Sequence, residues 1–61
     1  MKLNKFAKDA LKKYAEADNQ VQLAQDYCID QMNIGKKAAA VACDQIGVLR
    51  FDMYLSTYTV K

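Results

Sequence analysis

The chain has 61 residues, 52% of them apolar and 26% charged, with no His, no Pro, two Gly and two Cys. Such a composition describes one small globular domain rather than a disordered segment. It leaves a four-ligand zinc site short of donors, and a formal net charge of +2 is too small to argue for nucleic acid by charge alone.

That charge is also spread along the chain, as +2 over residues 1–20, −2 over 21–35 and +2 over 36–61. The leading segment "MKLNKFAKDALKK" has no continuous apolar run of signal-peptide length, and no stretch approaches a membrane span. The reading is a cytoplasmic protein with reduced thiols, no integral membrane association and no cofactor.

The first element is expected to be one long helix over about residues 3–32. At 100° per residue, Leu3, Phe6, Ala7, Ala10, Leu11, Tyr14, Ala17, Val21, Ala24, Cys28, Ile29 and Met32 share a stripe. Lys5, Lys8, Asp9, Lys12, Glu16, Asp26 and Asp30 take the opposite side. The stripe keeps its phase through "ADNQ", which favours continuity. Asn19 followed by Gln22 resembles a capping box, so a break near 18–19 is the alternative. Leu23 and Tyr27 fall off the stripe, as ordinary apolar surface or as part of a second contact.

"MNIGKK" is a stop signal, with Gly35 suited to the left-handed residue past a helix end. "KKAAAVACDQI" restarts a helix over about 36–55, because Ala is the strongest helix former. The fold class expected is therefore all-α, an antiparallel helical hairpin completed by self-association or by a partner. Ala39, Ala42, Cys43, Ile46, Leu49 and Met53 form the inner stripe of the second helix. Cys28 and Cys43 lie at similar distances either side of the turn, which allows them to face each other; a disulfide is geometrically conceivable, and two small core thiols are the preferred reading for a cytoplasmic chain.

The closing segment "GVLRFDMYLSTYTVK" fits two patterns. As helix, it places Val41, Val48, Phe51, Leu55 and Tyr58 on a second apolar face pointing away from the first helix. As a tail broken at Gly47, it alternates Leu49, Phe51, Met53 and Leu55 at period two, which is strand-like. Helix to about Leu55 followed by an extended tail is preferred. Either way apolar surface is left for another molecule. Val48, Phe51, Tyr54, Leu55 and Tyr58 are the partner-binding candidates, with Met53 as a further anchor. The partner is another protein or a second copy of the chain, a homodimer being the simplest cover.

"ACDQIGVLRFDMY" resembles the helix-turn-helix pattern of DNA-binding domains, with small Ala42 and Cys43 before the turn Ile46-Gly47-Val48. That resemblance implies a recognition helix after Gly47, with Arg50 contacting bases or phosphates and Lys36, Lys37 and Lys61 reaching phosphates. A second alternative is peripheral membrane-surface binding through the Lys-rich segment "KLNKFAKDALKKYA".

Catalysis is not expected. The chain carries no His, no phosphate-binding Gly-rich loop and no Gly-x-Ser-x-Gly elbow, and no base stands ready for either Cys. Asp26 and Asp30, four residues apart, read as a solvated face. The functional expectation is a small non-enzymatic helical protein that regulates, inhibits or decorates a larger one. A viral or mobile-element origin suits such a chain.

Overall fold

The computed structural model describes residues 2–59, and for residues 54–59 the backbone alone. The fold is all-α: α1 (Lys5–Lys13), α2 (Gln20–Asn33) and α3 (Lys37–Thr59), with no strand among the described residues.

α1 begins where Asn4, in extended backbone, accepts a 2.7 Å hydrogen bond on Oδ1 from the Ala7 amide. This satisfies one of the amides that a helix start leaves without a partner. The same residue ties α1 to α3. Its Nδ2 donates to the Ala38 carbonyl at 3.0 Å, and its backbone N–H donates to Gln45 Oε1 at 2.8 Å. Gln45 Nε2 completes the clamp by donating to the Lys2 carbonyl at 3.0 Å.

The single helix expected over 3–32 is two helices. Residues 14–19 form successive turns, with Ala17 N–H donating to Tyr14 O and Gln20 N–H to Ala17 O. Gln20 Nε2 reaches back to the Leu11 carbonyl at 2.7 Å, covering an acceptor exposed by the end of α1. Lys12 and Lys13 stand in that last turn, where positive charge favours the carbonyl end of the helix dipole. The break falls beside the alternative site at 18–19, but not through a capping box. Asn19 precedes α2 without a side-chain cap bond, and Gln22 turns toward Arg50 instead.

The physical reason for the break is that α1 gains more by folding back. Ala7 and Ala10 join Ala24, Cys28, Ala42, Cys43 and Ile46 in one buried cluster. Tyr27, off the stripe of a continuous helix, becomes the hinge of the α1–α2 contact. Its ring stacks on Phe6 with centroids 5.7 Å apart and meets Tyr14 edge-on at 6.3 Å. Lys13 Nζ lies over both tyrosine rings at 5.6–5.9 Å from the centroids.

α2 ends as "MNIGKK" requires. Gly35 takes φ = +100°, which a side chain would strain, and its N–H donates to Met32 O while Lys36 N–H donates to Gln31 O. These paired bonds cover carbonyls at the helix end and reverse the chain. α2 and α3 then run antiparallel, with Cys28 beside Cys43, Gln25 beside Gly47 and Gln22 beside Arg50.

α3 continues through Gly47 to Thr59. The tail is therefore neither a strand nor extended over that range, and the turn at Ile46-Gly47-Val48 does not exist. A helix satisfies its own backbone, whereas a lone strand needs a neighbour. Gly47 serves close packing instead of a turn, since a Cβ there would lie 2.9 Å from Gln25 Nε2. That amide is the movable end of a flexible side chain, and Ala is about 1 kcal/mol better than Gly inside a helix. Gly47→Ala is therefore expected to leave stability unchanged or to raise it by up to about 1 kcal/mol in urea unfolding. A glycine needed for a helix-turn-helix turn would give a clear loss.

The core is built mostly from small residues. Ala7, Ala10, Ala24, Ala39, Ala42, Cys28, Cys43 and Ile46 are buried, and Ile46 and Cys28 are the largest fully buried side chains. Small side chains let helix axes come together, as the Ala-rich inner stripe of α3 anticipates. Met53 departs from that stripe. It is 57% exposed, at the level where α2 begins. The long dimension is 41 Å against 21 and 19 Å across.

Candidate functional site: the outer face of α3

The site is built by a single helix. α3 uses Ala39, Ala42, Cys43 and Ile46 to pack inward, so residues half a turn away must point outward. Lys37, Val41, Asp44, Val48 and Asp52 form a row at spacings of three and four, with Phe51 along its edge. All six are exposed. Val41 is 51%, Val48 48% and Phe51 59% exposed, high values for large apolar side chains on one face. Gln45 borders the row on the α1 side, held by its bonds to Lys2 and Asn4.

Of the five partner-binding candidates, Val48 and Phe51 are placed on this face. Tyr54, Leu55 and Tyr58 lie outside the residues whose side chains are described, although their backbone continues the same helix. Val41 also belongs to the face. The helical spacing places it there. Further apolar exposure occurs at Ile29 and Met32 at the end of α2 and at Ile34 in the following turn. The stripe of a continuous helix would have buried Ile29 and Met32. In the bundle they lie on the solvent side of the α2–α3 contact.

The residues read as DNA contacts are not brought together. Arg50 Nη1 donates to Gln25 Oε1 at 3.1 Å and Nη2 to Gln22 Oε1 at 3.3 Å, across the α2–α3 junction. Lys36 and Lys37 are exposed about 20 Å away along the axis, at the other end of the bundle, and Lys37 and Arg50 occupy different sides of α3. Lys61 lies outside the described residues. A helix-turn-helix reading therefore loses both its turn and its cluster of donors. The lipid-surface reading loses its apolar side, because Phe6, Ala7, Ala10 and Leu11 of α1 pack onto the core. No helix among the described residues is long and apolar enough to cross a membrane.

An open cavity of about 200 Å³ lies where the α1–α2 connection meets α3, lined by residues including Asn19, Val21, Gln22, Arg50 and Met53. Its guanidinium is already committed to the two glutamines. Asp26 and Asp30 are exposed on α2, and no group of three or more His, Cys, Asp or Glu side chains is gathered as a metal site among the described residues.

The two cysteines face each other across α2 and α3 as unpaired thiols. Burial, reinforced by the neighbouring Cys43, pushes the Cys28 thiol up from 9.0 to about 11. Burial also raises Cys43, with Asp44 adding to the rise and the hydrogen bond to Cys28 opposing it. Both are poor nucleophiles at neutral pH, since the thiolate is the reactive form.

The linkage has a definite sign. Below pH 9 the Cys28 thiol is protonated in both folded and unfolded chains, and its contribution is fully present. Between about pH 9 and 11 the unfolded chain ionises first, so folding stability falls. Urea unfolding across this window is expected to show a decline that becomes shallower in Cys28→Ala.

Comparison of the chain with known protein families, with curated proteins and with solved structures finds no match.

Proposed function

We propose that this protein is a non-enzymatic interaction module whose working surface is the outer face of α3. The observation that carries the reading is the exposed apolar set Val41, Val48 and Phe51 on a helix whose opposite side already fills the core. A helix of a finished small domain shows a polar outer side, and apolar residues aligned on it mark a surface for another protein. Phe51 is the natural anchor, because aromatic side chains dominate binding at interface centres. Tyr54, Leu55 and Tyr58 remain candidates from the sequence alone, because their side chains lie outside the described residues.

The module acts by occupying a surface of a larger protein, as a regulator, inhibitor or assembly component, or by assembling with itself. Free thiols at Cys28 and Cys43 fit a reducing, cytoplasmic setting.

The test is the paired substitution Val48→Asp and Phe51→Asp. It is expected to weaken association by at least about 30-fold, the range of a central hot spot. Circular dichroism should show helix content unchanged, because both residues point to solvent. A collapse of helicity would place them in the core and end the interface assignment.

A further inference from the structure

We propose that the occupant of the α3 face is a second copy of this chain, docked antiparallel on the same face around a two-fold axis between Asp44 and Gln45. The proposal rests on the interaction-module reading and names its partner.

The row on the outer face is self-complementary when reversed. With the axis at that point, Val41 of one copy meets Val48 of the other, and the reciprocal contact follows by symmetry. Lys37 is brought level with Asp52 of the other copy, so each end of the apolar contact closes on a pair of opposite charges. All four side chains are exposed and available for this. Phe51 lies beside the same contact, where the stem of Lys37 from the other copy passes. A partner of unrelated sequence would have to reproduce this order of a cation, two valines and an anion at helical spacing, which the chain itself supplies.

The pairing has one internal cost. The two Asp44 carboxylates face each other across the axis near its centre, and like charges placed so repel. The contact is also short. Lys37 to Asp52 spans about 23 Å of helix, at the small end of specific interfaces. The dimer is accordingly expected to be reversible, with a dissociation constant on the order of 10 µM.

Sedimentation equilibrium of the full chain, at concentrations from well below to well above that value, tests the proposal. A monomer–dimer equilibrium is expected. Lys37→Glu and Asp52→Lys should each weaken it about fivefold, and the two together should restore it by exchanging the charges. Asp44→Asn should tighten it a few-fold, an effect specific to self-pairing about this axis. Circular dichroism on each variant separates weakened association from loss of fold. A dimer indifferent to all three positions would overturn the antiparallel register. A chain that stays monomeric throughout would overturn the second copy as occupant. In that case, a host protein captured by the wild type and released by Phe51→Asp would leave the interaction reading standing, and absence of any Phe51→Asp effect would end both.

Discussion

Ile46→Ala is expected to remove roughly half of the folding stability of this protein. Ile46 is wholly excluded from solvent and shares with Cys28 the position of largest fully buried side chain, in a cluster otherwise made of Ala and Cys. Replacing a buried Ile by Ala costs about 2–5 kcal/mol, from lost transfer free energy and from the cavity left behind. A chain of 61 residues is stable by only about 3–9 kcal/mol at typical values per residue. The other buried members of the cluster are Ala and Cys, whose short side chains fill little of the gap, so any closure depends on the partly buried residues packed against it, such as Leu11 and Val21. Urea unfolding should show a lower midpoint with an unchanged slope. A loss below about 1 kcal/mol would mean that the helices collapse into the space, and that the core is less tightly specified than its geometry indicates.

Tyr27→Ala should release α1 from the bundle. The Tyr27 ring is the only aromatic of α2 and holds two aromatic partners from the α1 end, Phe6 by stacking and Tyr14 edge-on, with Lys13 above. Aromatic pairs contribute about 0.5–1.5 kcal/mol each beyond the area they bury. Because the site is half-buried, a total loss of about 2–3 kcal/mol is reasonable, below the range for fully buried aromatics. The loss should fall unevenly. Amides of α1, together with that of Asn4, should exchange with solvent faster, while the α2–α3 pair keeps its protection. The result also separates two folds. In one continuous helix Phe6 and Tyr27 would stand about 30 Å apart and could not support each other. Tyr27→Ala would then behave as a surface substitution within about 0.5 kcal/mol of the parent.

The α3 face joins these stability arguments to function. Its apolar residues make no contribution to the core, so they can be exchanged for acids without the losses expected at Ile46 or Tyr27. That contrast, two substitutions that lower stability and two that only weaken association, is the experimental signature expected of a docking helix carried on a small folded support.

Much of the bundle was legible from local rules. Gly35 between "QMNI" and "KKAAA" marks a reversal because only glycine takes a positive φ without strain, and the alanine run after it restarts the helix. Ala39, Ala42, Cys43 and Ile46 were identifiable as the inner side of α3 by spacing alone, as was the outward position of Val48 and Phe51. The pairing of Cys28 with Cys43 followed from counting outward from the turn. None of these depends on contacts remote in sequence.

Other features were decided by the tertiary structure. Periodicity records which side of a helix is apolar, and it stays in phase whether the chain runs straight through residues 14–19 or folds back there. The choice depends on the contact that Phe6 and Tyr14 find on Tyr27, on the Gln20 bond to the Leu11 carbonyl, and on the Asn4–Gln45 clamp. All of these join segments whose proximity no local pattern announces. The end of α3 is a similar case: alternation of apolar and polar residues from Leu49 to Leu55 suits a strand, but a strand needs a neighbour for its backbone, and none stands among the described residues. What the amino-acid order determined by itself was the helical character, the reversal at Gly35 and the two opposed sides of α3. Only the folded arrangement decided that the first stripe would be spent on three-way packing, leaving Met53 and the row from Val41 to Phe51 at the surface. The reason is that burial is shared out among all the segments at once, whereas periodicity is a property of one.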